Sequence, residues 1–190
     1  MIISELKMKA RASLDGNWGI SMLVMIVVSL ISSAVNSITG GFGALLTPVL
    51  GFGVCSYYLI MVRTGSAKFE TVFTDTFSDF LKKWGVTLLR GLYIWLWSLL
   101  FIIPGIVKSY SYAMTNYILL DNPEMGIDEA ITASRKMMDG YKWKLFCLDL
   151  SFILWHLLAW CTCGILYIYL VPLMTASRTQ FYEELKAIRG

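Results

Sequence analysis

The sequence predicts an all-α integral membrane protein. Its six spans form three helical hairpins, each preceded by an amphipathic helix on the cytoplasmic surface. Three observations predict this. Hydrophobic residues make up 57% of the 190 and charged ones 15%, against roughly 45–50% and about 25% in soluble domains. A soluble fold of this size has too much surface for its volume to hide that much apolar area, and lipid is the alternative solvent. Second, amphipathic stretches alternate with long uncharged apolar ones, with a tryptophan at each junction: Trp18, Trp84 and Trp143. Indole rings prefer the depth at which lipid meets water. Third, 14 of the 16 Lys and Arg residues fall in the segments 1–17, 63–84, 121–144 and 176–190, and none falls in the turns at 36–41, 104–105 and 161–164. By the positive-inside rule, both termini and all three surface helices face the cytoplasm of a plasma membrane.

The first unit (about 1–65) opens with a short helix carrying Ile3, Leu6, Ala10 and Leu14 on one face and Glu5, Lys7, Lys9 and Arg11 on the other. Gly16 is its expected cap. Residues 19–35 form the first span, on which Ser29, Ser33 and Ser37 make a small-residue stripe suited to close helix approach. After an uncharged turn, residues 42–62 return as the second span, kinked at Pro48. Gly41-Phe42-Gly43 and Gly51-Phe52-Gly53 read as helix-packing glycines within this apolar run, not as nucleotide loops.

The second unit (about 66–121) organises the rest. Phe69, Val72, Phe73, Phe77, Phe80, Leu81 and Trp84 keep helical spacing, opposite Glu70, Asp75, Asp79 and Lys82. This predicts one interfacial helix. Residues 85–103 and 106–120 are its two arms, turned at Pro104-Gly105. The third unit (about 122–190) follows Asp121-Asn122-Pro123. It places Ile127, Ala130, Ile131, Ser134 and Met138 on one face and Asp128, Glu129, Arg135 and Lys136 on the other. Gly140 ends that helix. The arms are 145–160 and 165–175, turned at Thr162-Cys163-Gly164, and the tail from Arg178 continues the last arm as a helix. The tryptophans recur at intervals of 66 and 59 residues, so the repeat lives in pattern and not in identity.

Four ionisable residues fall within the arms: Arg90, Lys108, Asp149 and His156. A charge at mid-bilayer costs about 2.5–3.5 kcal/mol on insertion scales, so each needs a partner, water or a function. Arg90 and Asp149 each stand six residues past a junction tryptophan, which predicts an ion pair between them or, alternatively, an anion- or lipid-headgroup-binding role. Lys108, just past the Pro104-Gly105 turn, is expected to reach the outer interface. His156 is expected as a hydrogen-bonded packing residue rather than a proton relay. Tyr57, Tyr58, Tyr110, Tyr112, Tyr117, Tyr167 and Tyr169 either line a polar cavity or bond between helices. Only 14 residues separate Arg90 from Ile103 inclusive, about 21 Å of helix against a hydrocarbon core of about 30 Å. Either Arg90 is submerged and paired, or the second and third hairpins stop short of the far face and thin the bilayer.

The composition also excludes. A net charge of +3 does not point to nucleic acid. Cys55, Cys147, Cys161 and Cys163 show no metal-ligand spacing and are expected as buried thiols, so no metal or cofactor is expected. There is no G-x-S-x-G, no H-E-x-x-H, no Walker loop and one histidine, so an enzyme is not expected.

Residues 133–146, ASRKMMDGYKWKLF, resemble a family of uncharacterised multi-pass membrane proteins of Gram-positive bacteria, domain of unknown function nine-seventy-five. Asn17-Trp18-Gly19, the stretch from Ile103 to Lys108, Asp121-Asn122-Pro123, the stretch from Leu150 to Trp155 and Phe181-Tyr182 extend the resemblance over nearly the whole chain. Leu154 and Leu173 depart from the expected glycine and tyrosine. The resemblance implies a plasma-membrane protein and carries no activity, ligand or site residues. A weaker similarity, in the Pro-Gly-Ile turn and a following amphipathic helix, is to the membrane region of glycerophosphodiester phosphodiesterases, whose hydrolase domain this chain lacks. The expected function is a non-enzymatic scaffold or accessory subunit in envelope or lipid-related processes. The alternative is a small transporter or permease component with Arg90, Asp149, His156 and the tyrosines along its path. Expected partners are the bilayer, with anionic lipids on the cytoplasmic side, and a second copy or another membrane protein.

Overall fold

The computed structural model describes residues 3–40, 43, 47–100, 102–162, 164 and 166–189, and no strand occurs among them. The chain is all-α. Helix α1 (Ile3–Leu14) leads to the long α2 (Trp18–Ile38), and a 3-10 turn at Thr47–Val49 opens α3 (Leu50–Thr64). Next come α4 (Thr71–Phe77), α5 (Phe80–Leu100), α6 (Ile102–Ser111), α7 (Thr115–Asp121) and α8 (Ile127–Met137). The chain closes with α9 (Lys142–Leu150), α10 (Ile153–Cys161) and α11 (Tyr167–Arg189), which carries Pro172 and the whole tail as one helix.

The amphipathic helices α1 and α8 lay their apolar faces on protein, and α4 buries part of its own. On α1, Leu6, Ala10 and Leu14 are fully buried, and the helix runs against α11, where Lys9 meets Glu184 at 2.8 Å. On α8, Ala130, Ile131 and Ser134 are buried while Asp128, Glu129, Arg135 and Lys136 stay exposed, as their spacing predicts. Glu129 accepts a hydrogen bond from the Gly126 N–H at 3.3 Å, closing the helix start. On α4, Val72 and Thr76 are buried against α3, where Gly53 leaves no room for a side chain: a Cβ there would overlap the Val72 backbone.

The predicted continuous helix from Phe69 to Trp84 breaks in two. Ser78 is extended and Asp79 turns into the left-handed region at φ +48°, so α4 and α5 are separate rods and the apolar stripe is split between them. Val72 is buried, whereas Phe77 and Leu81 are exposed. Each unit therefore carries a left-handed residue between its amphipathic helix and the next: Gly16 (φ +82°), Asp79 and Gly140 (φ +76°).

Three further expectations change. Pro104 and Gly105 lie inside the first turn of α6 rather than forming the reversal: α5 runs to Leu100, and α6, already helical from Ile102, packs back on it. Proline is at home there, because the first four N–H groups of a helix have no intrahelical acceptor. Pro48 belongs to the 3-10 turn before α3 and kinks no long span; most of residues 41–46, where that span was expected to begin, lie outside the described residues. Ser29, Ser33 and Ser37 are all exposed, so the small-residue stripe meets no helix among the described residues.

Two stretches are long and apolar enough to cross a membrane, Trp18–Ile38 and Lys142–Cys161, and only 11% and 22% of their apolar windows are buried. The second bends at Ser151-Phe152, between α9 and α10. Exposed apolar side chains also gather at the α5/α6 hairpin end (Trp95, Leu99, Ile103, Ile106) and on α10 (Leu154, Leu157, Trp160). The core proper lies where Tyr117, Leu148, Phe152, Phe181 and Tyr182 meet.

Candidate functional site

Of the four ionisable residues in the arms, no two pair with each other. The expected Arg90–Asp149 ion pair does not form. Asp149 is held by Arg178, whose Nη2 and Nε donate to its two carboxylate oxygens at 2.8 and 3.2 Å, and by the Tyr110 hydroxyl at 3.1 Å. Arg90 donates instead to the Asn116 side-chain Oδ1 at 3.1 Å. Equal offsets from Trp84 and Trp143 imply equal depth only if both helices are straight. The bend after Leu150 and the return of α11 give Asp149 a nearer cation.

His156 Nδ1 lies 3.2 Å from the Tyr167 hydroxyl, joining α10 to α11. The tyrosine hydroxyls bond between helices in the same way: Tyr57 with Ser21 at 3.2 Å and Tyr117 with Thr179 at 3.3 Å. Of the junction tryptophans, Trp18 stacks on Tyr169 at 4.5 Å, Trp84 is half-buried, and Trp143 is exposed beside Phe146. The thiols are not uniformly buried. Cys161 is exposed at the end of α10, Cys55 and Cys147 are half-buried, and Cys163 lies outside the described residues. Among the described residues, no three His, Cys, Asp or Glu side chains converge as a metal site.

Lys108 departs furthest from expectation. Its ammonium sits 4.4 Å from the Trp97 ring centre. It also lines a cleft of about 300 Å³ with Arg135, Lys136 and Lys142, where Asp139 is the one carboxylate and Ser111 and Thr132 add hydroxyls. Lys108 therefore shares its cleft with cations of α8 and α9. The Ser134 hydroxyl donates to the Ser111 carbonyl at 2.9 Å, and Tyr93 donates to Asp128 at 3.1 Å, so α8 is fastened across the flank of the α5/α6 hairpin.

One cluster was not singled out from the sequence. A single carboxylate oxygen of Asp121 accepts from Arg63 at 2.8 Å, Lys186 at 2.6 Å and the Tyr182 hydroxyl at 2.8 Å, and Arg63 also reaches Glu183 at 2.8 Å. Burial alone would raise the Asp121 carboxyl, but these three donors outweigh it and hold its pKa at about 2. The cluster pins the ends of α3 and α7 to the tail of α11. Its sequence signal was a lone carboxylate at the end of one apolar arm, with a lone arginine at the end of another.

Two segments, 1–111 and 99–189, match the family described as protein of unknown function (DUF975). The chain belongs to that family. The family is described as one of unknown function. No curated protein and no solved structure matches the chain.

Proposed function

We propose that the protein is a non-enzymatic membrane scaffold. Its packed, charged body lies on the cytoplasmic face of the plasma membrane with both termini, and it serves envelope or lipid-related processes as an accessory subunit. The observation that carries this is the local partnering of the intramembrane candidates: Arg90 with Asn116, Asp149 with Arg178, His156 with Tyr167 and Lys108 over Trp97 are four fastenings, and among the described residues no hydrogen bond or ion pair joins one candidate to another. Each ties one helix to another, as a rigid anchor needs and a transport path does not.

In place of six full crossings, this reading has the α5/α6 hairpin enter one leaflet. Lys108 stands six residues past the start of α6, about 9 Å of helix. It shares its cleft with Arg135 and Lys142 of the charged body. An apolar tip of that depth ends within the near half of a core about 30 Å thick. The α2 helix, 21 residues long and uncharged, is long enough and apolar enough to cross.

Transport is the second reading, favoured by one feature. Arg90 lines a mostly apolar groove of about 820 Å³ with Leu88, Leu92, Ile94, Trp95 and Pro48, where Thr87 is the other polar side chain.

Single cysteines placed in a cysteine-free background at Leu99, Ile103 and Lys186 test the anchoring. An impermeant thiol reagent should label Lys186→Cys only in inverted vesicles, and Leu99→Cys and Ile103→Cys from neither side. Labelling of Ile103→Cys from outside intact cells would establish a full crossing. The two functions separate by complementation of a deletion strain grown under envelope stress. A scaffold tolerates Arg90→Gln with His156→Gln, whereas a transporter loses function.

A further inference from the structure

We infer that the cleft between α6, α8 and the start of α9 is a binding site for the phosphate of an anionic lipid headgroup, with the acyl chains lying along the exposed face of the α5/α6 hairpin. The inference deepens the membrane reading and rests on it.

Four cations line the cleft: Lys108 from α6, Arg135 and Lys136 from the last turn of α8, and Lys142 from the first turn of α9. Like charges gathered around about 300 Å³ repel one another, and a protein tolerates this when carboxylates or a ligand neutralise them. Here the protein supplies little neutralisation. Asp139 is the single carboxylate in the lining, and among the described residues none of the four cations forms an ion pair. Lys9, Arg63, Arg178 and Lys186 have carboxylate partners, while cations elsewhere such as Arg11, Lys68 and Lys144 form no ion pair among the described residues. What distinguishes this cleft is that four such cations line one small volume beside a single carboxylate.

The second observation is position. Lys108 packs over Trp97, and the residues just before it on α6, Ile103, Ile106 and Val107, are exposed. A cationic cleft opening directly onto apolar surface matches an amphiphile whose charged end and apolar end are joined. A soluble phosphate would use only half of it. Arg135 can meet a phosphate with paired N–H donors, the lysines act as point charges, and the Ser111 and Thr132 hydroxyls add neutral donors. A basic cleft of this kind at the cytoplasmic side of a hairpin selects phosphatidylglycerol-like or cardiolipin-like headgroups over zwitterionic ones.

The test uses the full chain, purified in a neutral detergent containing equal phosphatidylglycerol and phosphatidylcholine, with retained lipid measured by native mass spectrometry. Wild type is expected to keep phosphatidylglycerol selectively. Lys108→Gln with Arg135→Gln and Lys142→Gln should lower that retention by at least about tenfold. A control with the same charge loss elsewhere, Arg11→Gln with Lys68→Gln and Lys144→Gln, should lower it less than about twofold. Equal losses in the two would show diffuse attraction and overturn the site. The charge-conserving pair Lys108→Arg with Lys142→Arg should retain lipid, and its loss there would also overturn the inference. Inorganic phosphate at millimolar concentration should leave the lipid bound; displacement would assign the cleft to a soluble anion instead. Wild type that binds no lipid and stays monodisperse without detergent would overturn the membrane reading itself. Wild type that needs detergent yet shows no selectivity would overturn the site alone.

Discussion

Arg178 meets Asp149 through two hydrogen bonds, at 2.8 and 3.2 Å, and so ties the tail of α11 to the end of α9. Lys7 of α1 reaches the same level, donating to the Ser151 carbonyl at 3.2 Å and lying 4.0 Å from the Phe152 ring centre. The bend between α9 and α10 is thus held from two sides by cations of the charged body. Beyond it, Ile153, Leu154, Leu157 and Trp160 are exposed. The Asp149 level marks the lower border of the apolar tip of this hairpin, as Lys108 does for the one before it.

A double-mutant cycle distinguishes this pairing from the one equal tryptophan offsets suggest. Asp149→Asn and Arg178→Gln should show a coupling of about 1 kcal/mol, modest because about half of the Arg178 side chain is exposed. Asp149→Asn and Arg90→Gln should be additive. The measurement is the denaturant midpoint in a fixed detergent. Coupling through Arg90 would reassign the partner.

Asp121 sets an acid limit. Its pKa falls from an ordinary 3.8 to about 2. The folded value lies below the unfolded one, so the contribution is complete above pH 4 or so and is lost as pH falls through about 2. With the carboxylate only 9% exposed, the depression corresponds to about 2 kcal/mol. Asp121→Asn should lower stability at neutral pH and flatten the acid limb of the stability profile. An unchanged limb in the variant would mean that other carboxylates govern it.

Asp79 carries strain that a glycine would not. A left-handed backbone costs an ordinary L-residue about 1–2 kcal/mol, and Asp is among the better-tolerated exceptions. Asp79→Gly should therefore hold or slightly raise the melting temperature, and Asp79→Ile should lower stability by roughly 1–2 kcal/mol. Should Asp79→Ile be neutral, the break between α4 and α5 is not where the chain turns.

These residues show what sequence could and could not deliver. The buried faces of α1 and α8 were legible because Leu6, Ala10 and Leu14, or Ala130, Ile131 and Ser134, keep a helical period set by the local backbone. The break at Ser78-Asp79 was not, because the period from Val72 to Trp84 runs through it unbroken and only a dihedral at Asp79 betrays the turn. Likewise the identities of Arg90, Lys108, Asp149 and His156 were evident as costly residues. Their partners were not, since depth counted along straight rods ignores the bend at Ser151 and the return of α11. The cleft at Lys108 was hidden for the same reason: counting residues past Pro104-Gly105 gave a far interface, whereas packing of α8 on Ser111 brings the charged body up to it.

The glycines sort by what stands opposite them. At Gly105 a Cβ would collide with Ser98, coming within 2.9 Å of its Cα, so the α5/α6 hairpin closes only because no side chain is there. Gly53 faces the Val72 backbone in the same way. Gly91 has nothing within 4 Å in the middle of α5. Gly91→Ala should therefore stabilise by roughly 0.5–1 kcal/mol through helix propensity alone. Gly53→Ala and Gly105→Ala should each destabilise by about 1–3 kcal/mol, since backbone on the far side cannot give way as a flexible side chain can. For Gly105→Ala the loss should come with increased protease access near Leu100, where the hairpin opens. Thermal unfolding of the three variants in one detergent, with limited proteolysis of the last, measures the set. A stabilising Gly105→Ala would mean that the two arms do not meet at Ser98, and the short hairpin on which the lipid cleft is built would lose its geometry.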